Sequence, residues 1–363
     1  MKQVRLWMMS AIFAISGASV FTACTDDSDN PVNPVGIAID ETNFPDSDFR
    51  QFLFEEYNFA KDGVLTEAEI RNITVMNVSE KEIKSLKGIE YFTALRTLNC
   101  SDNELTELDI SGNTALDTLD CGFNELTALD VSKNTALRSL SCGFNELTAL
   151  DVSKNTALTI LAFPANHVTS LDISANTALT YLQCSGNDLT ALDLSKNTAL
   201  TVLHCGDNKL TSLDLSVNKA LTELSCDDNK LTALDISKNT ALTSLSCNCN
   251  ALTTLDVSAN TSLVYMACYS NQLATLDLSK NMALEKLLCF KNQISGQNMD
   301  ALIGSLRQNE SEEFCGFYVM DGNEPNQNVC TKSQAAAAKA KGWLPQYWDE
   351  DEEFWQEYEG SDE

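Results

Sequence analysis

The chain has 363 residues, with 52 acidic side chains against 24 basic ones and a net charge of −28. That balance excludes a surface built for nucleic acid or anionic lipid, because binding phosphates requires a basic footprint. Apolar residues make up 44% of the chain, enough for an extended core, and 13 cysteines pose a separate question of pairing.

In chain order, residues 1–23 read as a signal peptide. Lys2 and Arg5 form its charged region, and Leu6 to Phe21 its apolar region. The apolar run is too short, and too soon followed by acid, to span a bilayer. It ends in Phe21-Thr22-Ala23-Cys24, which resembles the lipobox of bacterial lipoproteins, with Phe21 where leucine is usual. That resemblance implies cleavage before Cys24 and lipid attached to it; the alternative is an ordinary secretory signal. The following TDDSDN resembles the export signal of surface lipoproteins in some Gram-negative bacteria. It implies an outer-membrane lipoprotein exposed on the cell surface, touching the membrane only through its lipid anchor. Residues 24–38, with Pro31 and Pro34, then form a tether.

Residues 39–94 are expected to form an N-terminal cap. Phe44, Phe49, Phe52, Leu53 and Tyr57 suggest a helix with one apolar face. Aligned on Gly63, the stretch from Asn58 to Glu69 resembles a degraded calcium loop. Asn58, Asp62, Gly63, Leu65 and Glu69 fill the first, fifth, sixth, eighth and twelfth places, but Ala60 in the third has no ligand oxygen. Calcium on Asn58, Asp62 and Glu69 is therefore the weaker reading. A helix-loop-helix that kept the turn and lost the ion is the stronger, and no other cofactor is expected. Ile83, Leu86, Ile89, Phe92 and Leu95 follow, a spacing that resembles the leading repeat of internalin-like proteins. Such a repeat covers the first apolar edge of a stacked array.

Residues 95–294 repeat every 21 residues, as in LRSLSCGFNELTALDVSKNTA from Leu137 to Ala157. Counted from the first leucine, Leu stands at 1, 4, 11 and 14, Cys at 6, Asn at 9 and 19, Asp at 15 and Ser at 17. A fixed period of this length means stacked turns, each burying its apolar residues against the next. LxxLxCxxNxL resembles the leucine-rich-repeat signature, in its short, two-sided bacterial class. The second half of the unit echoes the first, which suggests two short strands per coil. The expected fold is thus a β-rich solenoid, a leucine-rich-repeat array of about ten coils, with a small helical N-terminal cap and an α/β C-terminal cap.

The period stops after Ile294. Within residues 295–348, Met299–Gln308 reads as a helix and Phe314–Met320 as a strand. Thr331-Lys-Ser-Gln334 is a capping box opening a helix to Lys341, and Trp343–Trp348 returns as a strand. Residues 349–363 are an acidic tail, read as a solvated end.

Nine cysteines occupy position 6, from Cys100 to Cys289, with Phe163 replacing the one in the fourth coil. A column of small buried thiols explains them better than a metal or redox ladder, since no CxxC pair with histidine occurs. Bonding between Cys315 and Cys330 stays open. The aspartates at position 15 repel their neighbours by roughly 0.8 kcal/mol per pair in water. Serine two residues later can offset this by donating hydrogen bonds.

Catalysis has little support, and the chain does not read as an enzyme. Its two histidines are His167 and His204, and alternation separates His204 from Cys205. What remains is the variable surface of the first strand, at positions 2, 3, 5, 7 and 8. It carries Phe123, Phe144, Tyr181, His204, Tyr265, Tyr269 and Phe290. Aromatics on a Thr/Ser/Asp face suit recognition of a protein or glycan; the alternative is that they merely shield the leucines. A cell-surface binding or adhesion protein, expected to be monomeric, is the leading reading. An accessory glycan-binding protein of a polysaccharide-utilisation system is second, and a hydrolase third.

Overall fold

The computed structural model describes residues 36–58, 60–311, 313–321, 328–349 and 354–362. Cys24, the signal peptide and all but the end of the tether lie outside the described residues. Two sheets form. A small antiparallel pair joins β1 (Gly36–Ala38) to β2 (Val64–Thr66), and a sheet of 14 strands runs in chain order from β3 (Val75–Asn77) to β16 (Phe354–Glu357).

The repeat dictates the long sheet. Each coil contributes one three-residue strand at positions 3–5, from β4 (Thr97–Asn99) to β13 (Lys286–Leu288). Its central residue points inward, and neighbouring coils pair in parallel with those residues in register, as for Leu98, Leu119 and Leu140. Leucines at 1, 4 and 11 and cysteines at 6 are buried, so the core is one continuous column. All twelve described cysteines are free, Cys315 and Cys330 included, and Phe163 fills the gap in the thiol column with its ring fully buried.

The expected second strand does not form. Positions 11–16 run across the other side of each coil without a backbone ladder. The aspartate at 15 is the reason: its carboxylate accepts the N–H of the serine two residues on, at 2.9 Å for Asp151 and Ser153, and closes a tight turn. Asparagine side chains tie this side to the preceding coil instead. Asn155 donates to Val131 O at 3.0 Å and to Asn134 O at 2.9 Å.

The N-terminal cap is helical, as expected. Asp46 caps α1 (Ser47–Glu56), and its second oxygen accepts the N–H groups of Lys84 and Ser85, fixing the helix to the first turns of the solenoid. A Thr66–Glu69 capping box opens α2 (Glu67–Asn72).

The C-terminal cap continues the sheet. β14 (Cys315–Asp321) pairs with β13, setting Phe317 beside Leu287, and β15 (Trp343–Asp349) pairs with β14. Helices α3 (Gln297–Ser305) and α4 (Lys332–Ala340) are tied by Gln334, which donates to Gly296 O and to Asp300 Oδ1. The acidic tail departs from expectation. Residues 354–357 form β16, antiparallel to β15, and Ser361 N–H donates to Cys330 O at 3.0 Å. The aromatics Trp355 and Tyr358 give this segment apolar surface to cover, which net charge alone conceals.

Candidate ligand-binding surface

The strand face presents positions 3 and 5, and the turn that follows presents 7 and 8. At position 8 the backbone is left-handed in every coil, occupied elsewhere by residues such as Asp102, Asp207 and Gly186. Phe123 and Phe144 adopt it too, with φ of 54° and 57°. A bulky residue there costs about 1–2 kcal/mol. Their half-buried rings stack with centroids 4.2 Å apart and planes 7° apart. In the next coil Ala165 takes the place of the phenylalanines, and Pro164 stands just before it. Pro164 closes so tightly on Gly143 that a Cβ there would lie 2.6 Å from the proline ring.

Tyr181 and His204 stand mid-face, edge to face at 5.9 Å. Neighbours on the same face hold them: Tyr181 hydroxyl donates to Gln183 Oε1 at 2.8 Å, and His204 Nε2 meets Glu223 Oε1 at 2.8 Å. Cys205, next in sequence, is buried on the opposite side, so the two do not form a nucleophile pair.

The third group lies against the C-terminal cap. Tyr269 and Phe290 stack at 4.3 Å. Beside them Lys286 links Tyr265 to Tyr318, its ammonium standing 5.9 Å from the first ring and 4.9 Å from the second. Burial raises the hydroxyl pKa of Tyr265 and of Tyr269, to about 12 for Tyr269, so these two remain hydrogen-bond donors. Trp355 packs on Phe290 at 5.3 Å and on Tyr318 at 4.6 Å. Phe290 is thereby left only 9% exposed, which removes it from the free surface expected of it. The sequence reading missed Tyr318 and Trp355. Tyr318 was legible in alternation, since its strand buries Cys315, Phe317 and Val319 and turns Tyr318 outward.

The residues of the calcium-like loop have local employment. Glu69 accepts from Thr66 N–H and hydroxyl, both at 2.8 Å, and Asp62 accepts Val64 N–H at 3.0 Å. Asn58 is buried, and its side-chain amide has no hydrogen-bond partner among the described residues. Among the described residues, no group of three or more His, Cys, Asp or Glu is placed to hold a metal ion.

No family model matches this sequence, and no curated protein matches it. Solved structures do. The functional domain of InlJ from Listeria monocytogenes, which includes a cysteine ladder, is 30% identical with a TM-score of 0.71, over 87% of this chain and 77% of that one. Internalin InlF from Listeria monocytogenes shares the fold at 22% identity and a TM-score of 0.69, over 86% and 98% of the two chains. A leucine-rich-repeat protein of Leptospira interrogans does so at 21% and 0.62, over 72% and 68%. With its 21-residue coils, its column of buried thiols and this degree of identity, the chain belongs to the internalin-like leucine-rich-repeat proteins of bacteria.

Proposed function

We propose that this is a nonenzymatic binding protein of the bacterial surface, which takes a protein or glycan partner on its strand face. The observation that carries this reading is the pair of left-handed, stacked phenylalanines. Phe123 and Phe144 hold a costly backbone while keeping their rings part-exposed and stacked. Tyr181, His204, Tyr265 and Tyr269 extend the aromatic surface along later coils, and aromatic anchors usually dominate binding energy.

The test is capture of partners by the full chain from cell-surface extracts and on a glycan array, beside a Phe123→Ala/Phe144→Ala variant. Loss of a saturable partner in the variant, with an unchanged melt, supports the reading. Equal capture by both proteins refutes a role for that stack. The proposed anchor is lipid on Cys24. Cys24→Ala should abolish lipid labelling and membrane association, and undiminished labelling would remove the lipoprotein reading.

A further inference from the structure

A pocket of 470 Å³ opens where the last coil meets the C-terminal cap, outside the two phenylalanine-bearing stacks. Two cations line it, Lys286 and Arg307. Arg307 is held by Nε donating to Leu284 O at 2.8 Å, Nη1 to Asn309 Oδ1 at 3.4 Å and Nη2 to Cys315 Sγ at 3.2 Å. Lys286 stands over the ring of Tyr318, for which Gly316 makes room: a Cβ on Gly316 would lie 2.7 Å from that ring and 3.5 Å from the lysine stem. Every one of these contacts orients a cation and none neutralises it. Neither residue forms an ion pair among the described residues, although acids outnumber bases by 52 to 24 in the sequence.

The rest of the lining sets the ligand. Phe314, 58% exposed, and Leu344 supply apolar wall. Glu285 and Glu313, both exposed on the lining, oppose a second negative charge. The volume lies within the range of small-molecule sites, about 300–1,000 Å³. We propose that this pocket binds a small monocarboxylic acid with an apolar or aromatic body. Its carboxylate is held by Arg307, whose planar fork matches that group, with Lys286 as the second charge. The body lies against Phe314 and Leu344. This does not rest on the strand-face reading, although Lys286 and Tyr318 border both places.

Calorimetry on the full chain tests it with 3-phenylpropanoate, without any macromolecular partner, so its outcome is independent of the capture experiment. The expected result is saturable binding, weakened about tenfold by Lys286→Gln and by Arg307→Gln, the loss of one charge-assisted hydrogen bond in each case. Phenethylamine, which has the same body and the opposite charge, should not bind. No saturable heat with the acid at millimolar concentration would overturn the proposal. So would unchanged affinity in Lys286→Gln, an exposed change that leaves the core alone and decides the matter if Arg307→Gln does not fold. Equal affinity for inorganic phosphate would overturn it as well, because the apolar wall would then contribute nothing.

Discussion

Phe123 and Phe144 lie face to face, 4.2 Å between centroids, on backbone that both hold in the left-handed region. Such a stack contributes about 0.5–1.5 kcal/mol beyond burial. The two left-handed conformations cost about 1–2 kcal/mol each. Stacking alone does not offset that cost, and half-buried rings add only part of a full burial contribution. Replacing both with asparagine, which tolerates this backbone, should leave the melting temperature unchanged or raised while partner capture falls. A melt lowered by several degrees would show that the rings belong to the core.

The two asparagine columns look alike in sequence but carry different loads. Asn145 Oδ1 accepts the N–H of Leu126 at 2.9 Å, while its amide donates to Cys121 O and Cys142 O. Those carbonyls keep other donors, Asn124 and Asn166, but the Leu126 N–H has no replacement. Asn155 Oδ1 has no partner, and the carbonyls its amide reaches also accept backbone N–H groups, from Asn134 and Leu137. Truncation of either side chain leaves a similar void, so the difference isolates one orphaned donor. Asn145→Ala should therefore destabilise more than Asn155→Ala by about 1–3 kcal/mol in chemical denaturation. Equal losses would mean that the cavity, not the hydrogen bond, sets the cost.

Much of this was legible because stacking forces it. Leu137, Cys142 and Asn145 recur at fixed spacing, and only an inward column satisfies all coils at once. The second side of the coil was not legible in that way. Leu150 and Val152 echo the inward spacing of a strand, but Asp151 sits between them and binds Ser153 N–H, a local bond that replaces the ladder. The candidate surface was legible as a set of outward positions, which recovered Phe123, Phe144, Tyr181 and His204. The cover over Phe290 was not, because Trp355 lies 65 residues further on in a segment whose acidity hides its aromatic content.

The aspartates at position 15 make stability depend on pH. Hydrogen bonds from the N–H and hydroxyl of the serine two residues on hold all nine, from Asp109 to Asp277, below the ordinary aspartate range. A depressed folded pKa contributes stability that is present above the unfolded value and lost as pH falls through the folded one. Asp120 and Asp228 act the other way, since burial raises their pKa and protonation relieves them. The nine outnumber the two, so the melting temperature should fall as pH drops below about 4. Changing Asp130, Asp151, Asp172 and Asp193 to asparagine keeps an acceptor for each serine and removes four titrating groups, and should flatten that fall. An equally steep fall in the variant would assign acid sensitivity to other groups.

Phe290 lies between Tyr269 on one side and Trp355 on the other, and this changes what its removal should do. As a free surface aromatic it could be truncated at little cost in stability. As a residue 9% exposed, it leaves a void under the tail, and Phe290→Ala should cost about 3 kcal/mol. Trp355→Ala removes the cover and keeps the ring. It should lower the melt less, while weakening the hold of β16, a four-residue strand at the sheet edge. Limited proteolysis separates the two effects. Trp355→Ala should speed cleavage after Asp349 while leaving the repeats intact, whereas Phe290→Ala should lower the melt and speed the same cleavage. Tyr265→Ala changes a ring on the open face and should do neither. If Phe290→Ala melts like the parent protein and its tail is cut no faster, Trp355 does not cover Phe290 in solution, and the phenylalanine belongs with the exposed aromatics after all.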